Sequence, residues 1–183
     1  DGIRVQERAT LARSVGLESD FWGGMATSRY GKSPPNVRLF GETPGSFPAK
    51  NWVIGEGRNF MDHDLDSARA VCILAGGLAD VLFPHSSALG EEVKLDGIKY
   101  QVVGVLEPKG QMLGGNQDNF VIIPLTTGLN RYGRRWRSLS ILVQAPSQEQ
   151  FENTREEVRG ILRVARKVPP GDEDDFEIFS NDS

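Results

Sequence analysis

The sequence predicts an α+β fold of two lobes, and three stretches of the chain carry that prediction. The first is a β-hairpin at 91–106, in which two runs of alternating apolar and polar residues meet at Asp96-Gly97. A pair of this kind favours the tight turns that join hairpin strands, because glycine adopts positive φ without a steric penalty. The second is a compact middle of short apolar segments. The third is a strand, an amphipathic helix and a strand at the end of the chain, which together predict a β-α-β unit.

The first third of the chain predicts two paired strands. One is expected over Phe21 to Tyr30, with a weak point at Gly23-Gly24, and the other over Asn36 to Glu42. The turn at 31–35 separates them, because its two prolines cannot donate to a strand ladder. One or two helical turns are expected before them, over Gln6 to Ser14.

The middle of the chain predicts short elements of alternating type. An irregular bend is expected over Gly55 to Arg58 and a polar turn over Asp62 to Ser67. Val71 to Ala75 predicts a short buried strand that ends at Gly76-Gly77, and Leu78 to Phe83 predicts a short helix. The residues of that helix that should face the core are Leu78, Val81 and Leu82.

Beyond the hairpin, the stretch Pro108 to Asn119 holds four Gly or Pro residues without periodicity, which predicts an exposed loop. A strand is expected over Phe120 to Leu125, and Pro124 places the end of that strand at a sheet edge. A short helix should follow over Thr126 to Gly133.

The last fifty or so residues form the β-α-β unit. A strand is expected over Ser138 to Ala145, a helix over Gln150 to Lys167 behind an N-cap at Ser147, and a final strand around Phe176 to Phe179. The compact middle is then expected to be inserted between two halves of an outer lobe. The predicted boundaries are 1–54 with 127–183 for the outer lobe and 55–126 for the insertion.

Composition limits the classes of function. With 38% hydrophobic and 25% charged residues, the 183-residue chain can bury an ordinary core, and its net charge of −4 argues against nucleic acid as the main partner.

The longest apolar run, Ala70 to Ala75, is far short of the ~20 residues that span a bilayer. The single Cys72 within that run is expected to be a buried hydrophobe rather than a reactive thiol. The chain begins without Met or an apolar signal segment, so we expect a piece of a longer protein.

One cluster has the chemistry of metal ligands. Asp62, His63, Asp64 and Asp66 offer oxygens and one imidazole that a divalent ion could bind, which would suit a metal-dependent hydrolase. The opposing interpretation, a solvated polar turn that caps a short helix, is favoured because the cluster has one histidine and no partner cluster. No nucleophile elbow and no phosphate-binding loop occurs in the sequence, so no catalytic, cofactor or metal site is predicted.

Two surface features are candidates for partner binding. The apolar tip of the 108–119 loop either folds back onto the core or meets a partner. The basic cluster 131–137 could bind an anionic partner by charge and stacking, although a solvated face also explains it. The candidate partner-binding residues are Gln111, Met112, Leu113, Tyr132, Arg135 and Trp136. A stand-alone extracytoplasmic module that binds peptides or proteins at its sheet edges is the alternative function.

Short motifs follow one another in a specific order and spacing over about residues 22–180. They are Gly41 to Pro44 with Phe47, Glu56 to Phe60, Ala70 to Ala75, Leu82-Phe83, Gly90 to Leu95, Tyr100 to Leu106, Pro108 to Gln111, Asp118-Asn119, Ile123 to Leu125 and Asp174 to Phe176. In this order they resemble the periplasmic core domain of MacB-type ABC transporter permeases, the family with four transmembrane helices.

This resemblance implies a periplasmic domain of an inner-membrane protein, placed between the first and second of the four helices. It implies a porter-like subdomain split by a smaller inserted β-rich subdomain, and a non-catalytic role in mechanotransmission for export or efflux. The implied partners are the transmembrane helices of the same chain, a second permease copy, an ABC ATPase domain and, in some members, a periplasmic adaptor protein. No cofactor is implied in this domain, because ATP and Mg belong to the nucleotide-binding domain of the parent transporter.

Overall fold

A computed structural model describes residues 14–108, 119–133, 139–144 and 176–180. Ten strands and four short helices lie in these ranges. The strands are β1 Ser14–Gly24, β2 Ala26–Thr27, β3 Val37–Glu42, β4 Ile54–Gly57, β5 Val71–Leu74, β6 Glu92–Leu95, β7 Ile98–Leu106, β8 Phe120–Pro124, β9 Leu139–Gln144 and β10 Phe176–Ser180. The helices are α1 Ser46–Ala49, α2 Asp62–Asp66, α3 Gly76–Leu82 and α4 Leu125–Tyr132. None of the helices in these ranges is both long and apolar enough to cross a membrane.

The contacts between residues divide the chain into two units, and β1 runs through both. The terminal unit comprises Asp1–Ser19, Thr43–Asn51 and Trp136–Ser183. The central unit comprises Asp20–Glu42 and Trp52–Arg135. The two-lobe organisation with 55–126 as the insertion stays a prediction.

In the terminal unit, β9 pairs with the first part of β1 on one side and with β10 on the other. The pairing with β1 is antiparallel and that with β10 is parallel. A parallel pair needs a crossover connection, which agrees with the predicted β-α-β unit; the helix expected over 150–167 lies outside the described residues. The backbone N–H of Thr43 donates to the carbonyl of Leu17 at 3.0 Å, and α1 lies against β9.

In the central unit, the strands follow the order β1, β3, β8, β5, β7, β6 and β2, and β4 also pairs with β7. The pairs β3/β8 and β5/β7 are parallel, whereas β5/β8 and β6/β7 are antiparallel. This mixed sheet with few helices confirms the predicted α+β class. The apolar side chains of α3 pack on the sheet and complete one buried core.

The predicted hairpin is confirmed. Leu95 pairs with Ile98 across a two-residue turn, in which Asp96 has φ 52° and Gly97 has φ 77°. Positive φ at both positions is what a type I′ turn requires. The alternation is also confirmed, because Val93 and Tyr100 are buried whereas their chain neighbours in these strands are exposed or half-exposed.

Several predicted strand features are wrong. β1 begins at Ser14 rather than at Phe21, and the expected bend at 55–58 is largely the strand β4, with a register shift between Ile54 and Glu56. The helix expected at 6–14 falls almost entirely outside the described residues. Pro124 does not mark a sheet edge, because β8 lies between β3 and β5. It ends the strand and directly precedes α4, where a missing N–H costs nothing.

The short helix α3 also differs from its prediction. Gly76 and Gly77 form its first turn instead of ending the preceding strand. Val81 is 49% exposed, while Ala79 takes a buried position beside Leu78 and Leu82. The error arises because the buried face is set by where the sheet lies and not by residue size alone.

Candidate partner-binding surface and its supporting contacts

Five of the six candidate residues lie outside the described part of the chain, namely Gln111, Met112, Leu113, Arg135 and Trp136. Tyr132 is described and is the last residue of α4. The residues described at the ends of the predicted loop 108–119, and those described at the start of the predicted basic cluster 131–137, lie in the central unit.

Tyr132 fixes the end of α4 to the core of the central unit. Its ring centroid lies 5.3 Å from that of Phe21, and its hydroxyl oxygen lies 3.3 Å from that of Tyr100. Burial, and secondly this hydroxyl hydrogen bond, raise the pKa of Tyr100. The guanidinium of Arg131 lies 5.4 Å from the centroid of the Tyr100 ring, within the range of a cation–π contact. The basic cluster therefore begins at an anchored point, while the partner role of Tyr132 stays a prediction.

Two glycines make room for the aromatic ring that Tyr132 contacts. A Cβ on Gly128 of α4 would lie 2.2 Å from Cε2 of Phe21, and a Cβ on Gly41 of β3 would lie 2.5 Å from the same atom. Phe21 is 6% exposed and belongs to the core, so its ring has little space to move away. Only glycine at these two positions lets the helix and the strand approach the ring so closely.

The two ends of the predicted loop are held by the sheet. At one end, the backbone N–H of Glu107 donates to the carbonyl of Val53 at 2.8 Å. At the other end, the amide nitrogen of Asn119 donates to the side-chain oxygen of Asn36 at 2.8 Å, and the backbone N–H of Arg38 donates to the Asn119 carbonyl at 3.2 Å. The residues at both ends of the predicted loop are thus hydrogen-bonded to residues in or directly beside β3 and β4.

The acidic cluster that could have bound a metal is organised around one buried carboxylate. Asp64 is fully buried in α2, with Nη1 of Arg58 at 2.7 Å and Nη1 of Arg69 at 3.0 Å from its oxygens. The backbone N–H of Met61 donates to the same carboxylate at 2.8 Å. Burial alone would raise the pKa of Asp64, but the hydrogen bonds of Arg58 and Met61 and the charges of Arg58 and His63 outweigh burial and lower it.

This arrangement confirms that the cluster caps a short helix, α2, and corrects the interpretation that the whole cluster is solvated. Asp62, His63 and Asp66 are exposed, but Asp64 is an internal ion-pair centre. Its oxygens are engaged by two guanidinium groups, which occupy the positions that a cation would need. Within the described ranges, no group of three or more His, Cys, Asp or Glu side chains could hold a metal ion.

The network ties together three neighbouring elements. Arg58 directly follows β4 and Arg69 comes shortly before β5, so the Asp64 carboxylate joins both strand ends to α2. The hydroxyl of Thr127 in α4 donates to the Arg69 carbonyl at 2.6 Å. Sequence reasoning missed this role. The available signal was the spacing, since a carboxylate three residues after the N-cap often reaches back to the N-cap N–H.

Cys72 lies in β5 and is buried and unpaired by disulfide, as predicted. Burial raises the pKa of its thiol, which keeps the sulfur protonated and unreactive at neutral pH.

Comparison with known proteins gives a consistent result. The family described as MacB-like periplasmic core domain matches residues 4–161. A macrolide export ATP-binding/permease protein, MacB, of Syntrophobacter fumaroxidans is 36% identical over 89 residues, which are 48% of this chain and 12% of that protein. A pyoverdine export ATP-binding/permease protein, PvdT, of Pseudomonas aeruginosa is 27% identical over 161 residues, which are 87% of this chain and 24% of that protein. This chain therefore spans a quarter or less of the length of these two relatives.

The fold is also similar to a solved structure. The crystal structure of the periplasmic region of MacB from Actinobacillus actinomycetemcomitans superposes with a TM-score of 0.69 at 16% sequence identity. The superposition covers 91% of this chain and 74% of that one. At this identity the likeness concerns the fold.

Proposed function

This chain belongs to the family of MacB-like periplasmic core domains, and we propose that it is the extracytoplasmic domain of an ABC transporter permease. In this proposal it couples ATP hydrolysis in the cytoplasm to periplasmic motion for export or efflux. The observation that carries the proposal is the family match over residues 4–161. The relatives are export proteins by name, with macrolides for one and pyoverdine for the other. We leave the exported compound of this protein unassigned because those two differ.

In this proposal the domain itself is non-catalytic and binds no cofactor. ATP and Mg are bound by the nucleotide-binding domain of the parent transporter. The chemistry of the acidic cluster supports a structural role, since the Asp64 carboxylate is neutralised by Arg58 and Arg69. ATP hydrolysis by the purified chain alone, lost when its own residues are changed, would overturn this part.

The proposed location is the periplasmic side of the inner membrane. The proposed partners are the transmembrane helices of the same chain, a second copy of the permease, an ABC ATPase domain and a periplasmic adaptor protein. Contact with the adaptor or substrate is assigned to the loop tip with Gln111, Met112 and Leu113, and to the cluster with Tyr132, Arg135 and Trp136. The contacts at both ends of the loop and at the start of the basic cluster support this assignment.

The anchoring suggests how the domain would transmit motion. A coupling element must be stiff between the point where force enters and the point where it leaves, because interiors packed to crystal-like density transmit displacement. The ends of the loop are hydrogen-bonded to the sheet, and the Tyr132 ring is packed against Phe21. The contacts of the described residues next to both candidate segments support this proposal.

The experiment compares export and ATP hydrolysis in the full transporter. Leu113→Asp and Trp136→Ala should reduce export while the ATPase rate of the complex stays measurable. Lys94→Ala is the matched control, because Lys94 is exposed on β6 and belongs to neither candidate surface. Unchanged export in both variants would contradict the surface assignment. If export failed equally in the control, the loss would have to be a folding effect, which circular dichroism of the purified chain would reveal.

A further inference from the structure

The strand β4 leaves one of its edges without a strand partner. It pairs with β7 in antiparallel register, from Ile54 opposite Leu106 to Gly57 opposite Gly104. No other strand in the described part of the chain pairs with it, and three of its four residues are exposed. An edge of this kind presents backbone N–H and C=O groups to which another extended segment can bind.

Two exposed apolar side chains lie next to β4. Val53, at 53% exposure, directly precedes the strand. Leu89, at 39% exposure, has a methyl carbon 2.7 Å from where a Cβ on Gly57 would lie. Such side chains offer contact area to a segment that adds to the strand.

The apolar residue at the start of the edge is held in place. The ring of Trp52, the residue before Val53, stacks on Phe120 with 5.3 Å between centroids. The carbonyl of Val53 accepts the hydrogen bond from Glu107 of the β7 side at 2.8 Å. Its exposed side chain therefore belongs to a fixed part of the sheet rather than to a mobile loop end.

The charge at this edge is acidic. Glu56 is exposed within the strand, where the Ser87 hydroxyl donates to its carboxylate at 3.2 Å. The exposed Glu107 lies on the β7 side of β4, with its Cγ atom 3.1 Å from where a Cβ on Gly55 would lie. The one basic residue next to the strand, Arg58, is turned towards the buried Asp64 at 2.7 Å. Carboxylates on the edge oppose pairing with the same edge of another copy, because like charges would meet there. The same carboxylates favour a segment that carries positive charge.

We propose that β4 is a docking edge for an extended, lysine- or arginine-bearing segment of a partner protein. The segment adds to the sheet beside Ile54–Gly57, its basic side chains meet Glu56 and Glu107, and its apolar side chains contact Val53 and Leu89. Because β4 has only four residues and Gly57 ends it at φ 78°, the pairing is short and the binding is modest. The proposal uses none of the six candidate residues of the proposed function.

The test uses fluorescence anisotropy with the complete 183-residue chain and three labelled seven-residue peptides. One alternates lysine and valine, the second alternates glutamate and valine, and the third is the lysine peptide with N-methyl groups along one backbone edge. The lysine peptide should bind and weaken with added salt, while the other two should bind at least about fivefold more weakly. Equal binding of the N-methylated peptide would overturn strand addition, and equal binding of the glutamate peptide would overturn the charge assignment.

Two variants locate the binding on the chain. Glu56→Lys should lower the affinity for the lysine peptide about fivefold or more. The matched control is Glu92→Lys on β6, an identical charge change at an exposed strand position. It should leave the affinity within about twofold. Equal losses in the two variants would show that the net charge of the chain drives binding, and the docking edge would then be refuted. Hydrogen exchange adds a readout independent of affinity, since the backbone amides of β4 should exchange more slowly with peptide bound.

Discussion

The buried carboxylate of Asp64 gives the sharpest test of the central unit. Asp64→Asn keeps the size of the side chain but removes its charge, so Arg58 and Arg69 lose their common partner. Breaking a buried ion pair costs about 3–5 kcal/mol. The side chains of Arg58 and Arg69 are 35% and 41% exposed, and water can solvate them after the change. We therefore expect Asp64→Asn to lower the free energy of unfolding by about 3 kcal/mol, the lower end of this range.

The assay is urea unfolding followed by circular dichroism, with thermal unfolding as a second measure. At about 2–4 °C per kcal/mol for a chain of this size, the melting temperature should fall by roughly 6–12 °C. Asp66→Asn is the matched control, because Asp66 is exposed on the same helix. It should change the free energy of unfolding by less than about 0.5 kcal/mol. Equal, small effects of the two variants would refute the reasoning that Asp64 organises this region.

The pH dependence follows from the sign of the pKa shift. The folded-state pKa of Asp64 lies below the value of 3.8 that applies in the unfolded chain. Between these two pKa values the unfolded state binds more protons than the folded state. The contribution of the Asp64 carboxylate to the free energy of unfolding is therefore complete above pH 3.8, and it is lost as the pH falls through the folded-state pKa. The stability difference between the native chain and Asp64→Asn should therefore shrink in acid. A difference that stays constant down to the acid unfolding of the chain would contradict the ion-pair account.

Three further substitutions test the packing around the candidate surface. Gly128→Ala drives a Cβ into the neighbouring aromatic ring and should cost about 1–3 kcal/mol in urea unfolding, whereas Gly31→Ala meets open space and should be near neutral. Tyr132→Phe removes the hydroxyl hydrogen bond to Tyr100 and should cost about 1 kcal/mol; no loss would mean that this bond does not stabilise α4. Gly97→Val places a β-branched residue at φ 77° and should cost more than about 1 kcal/mol by thermal unfolding, and a neutral result would refute the type I′ turn.

The sequence predicted best those features that depend on residues close together in the chain. The hairpin is the clearest case, since the alternation and the turn at Asp96-Gly97 specify register and twist locally. The position of β8 within the sheet was missed, because it depends on pairing with β3, whose partner residues lie 82 positions away in the chain, and with β5, whose partners lie 47 and 49 positions away. A proline at the end of a strand is compatible with an interior strand, and local pattern cannot distinguish the two cases.

The candidate site was less accessible to sequence reasoning. The loop and the basic cluster were proposed from exposed apolar and cationic residues, and only Tyr132 of the six lies in the described chain. The roles of Asp64 and of Gly128 were not foreseen. From the sequence alone, a carboxylate among other acidic residues is interpreted as solvated, and a glycine within a helix is interpreted as destabilising the helix. Both become meaningful only when the tertiary partners, Arg69 and Phe21, are placed beside them.

The membrane topology of the full-length protein tests the central claim most directly. Reporter fusions would be placed on both sides of each apolar segment and within residues 1–183. The account predicts one apolar span of ~20 residues before Asp1, three after Ser183, and an extracytoplasmic location for the chain between them. The absence of flanking spans, or a cytoplasmic location of this domain, would contradict a role in an ABC transporter permease.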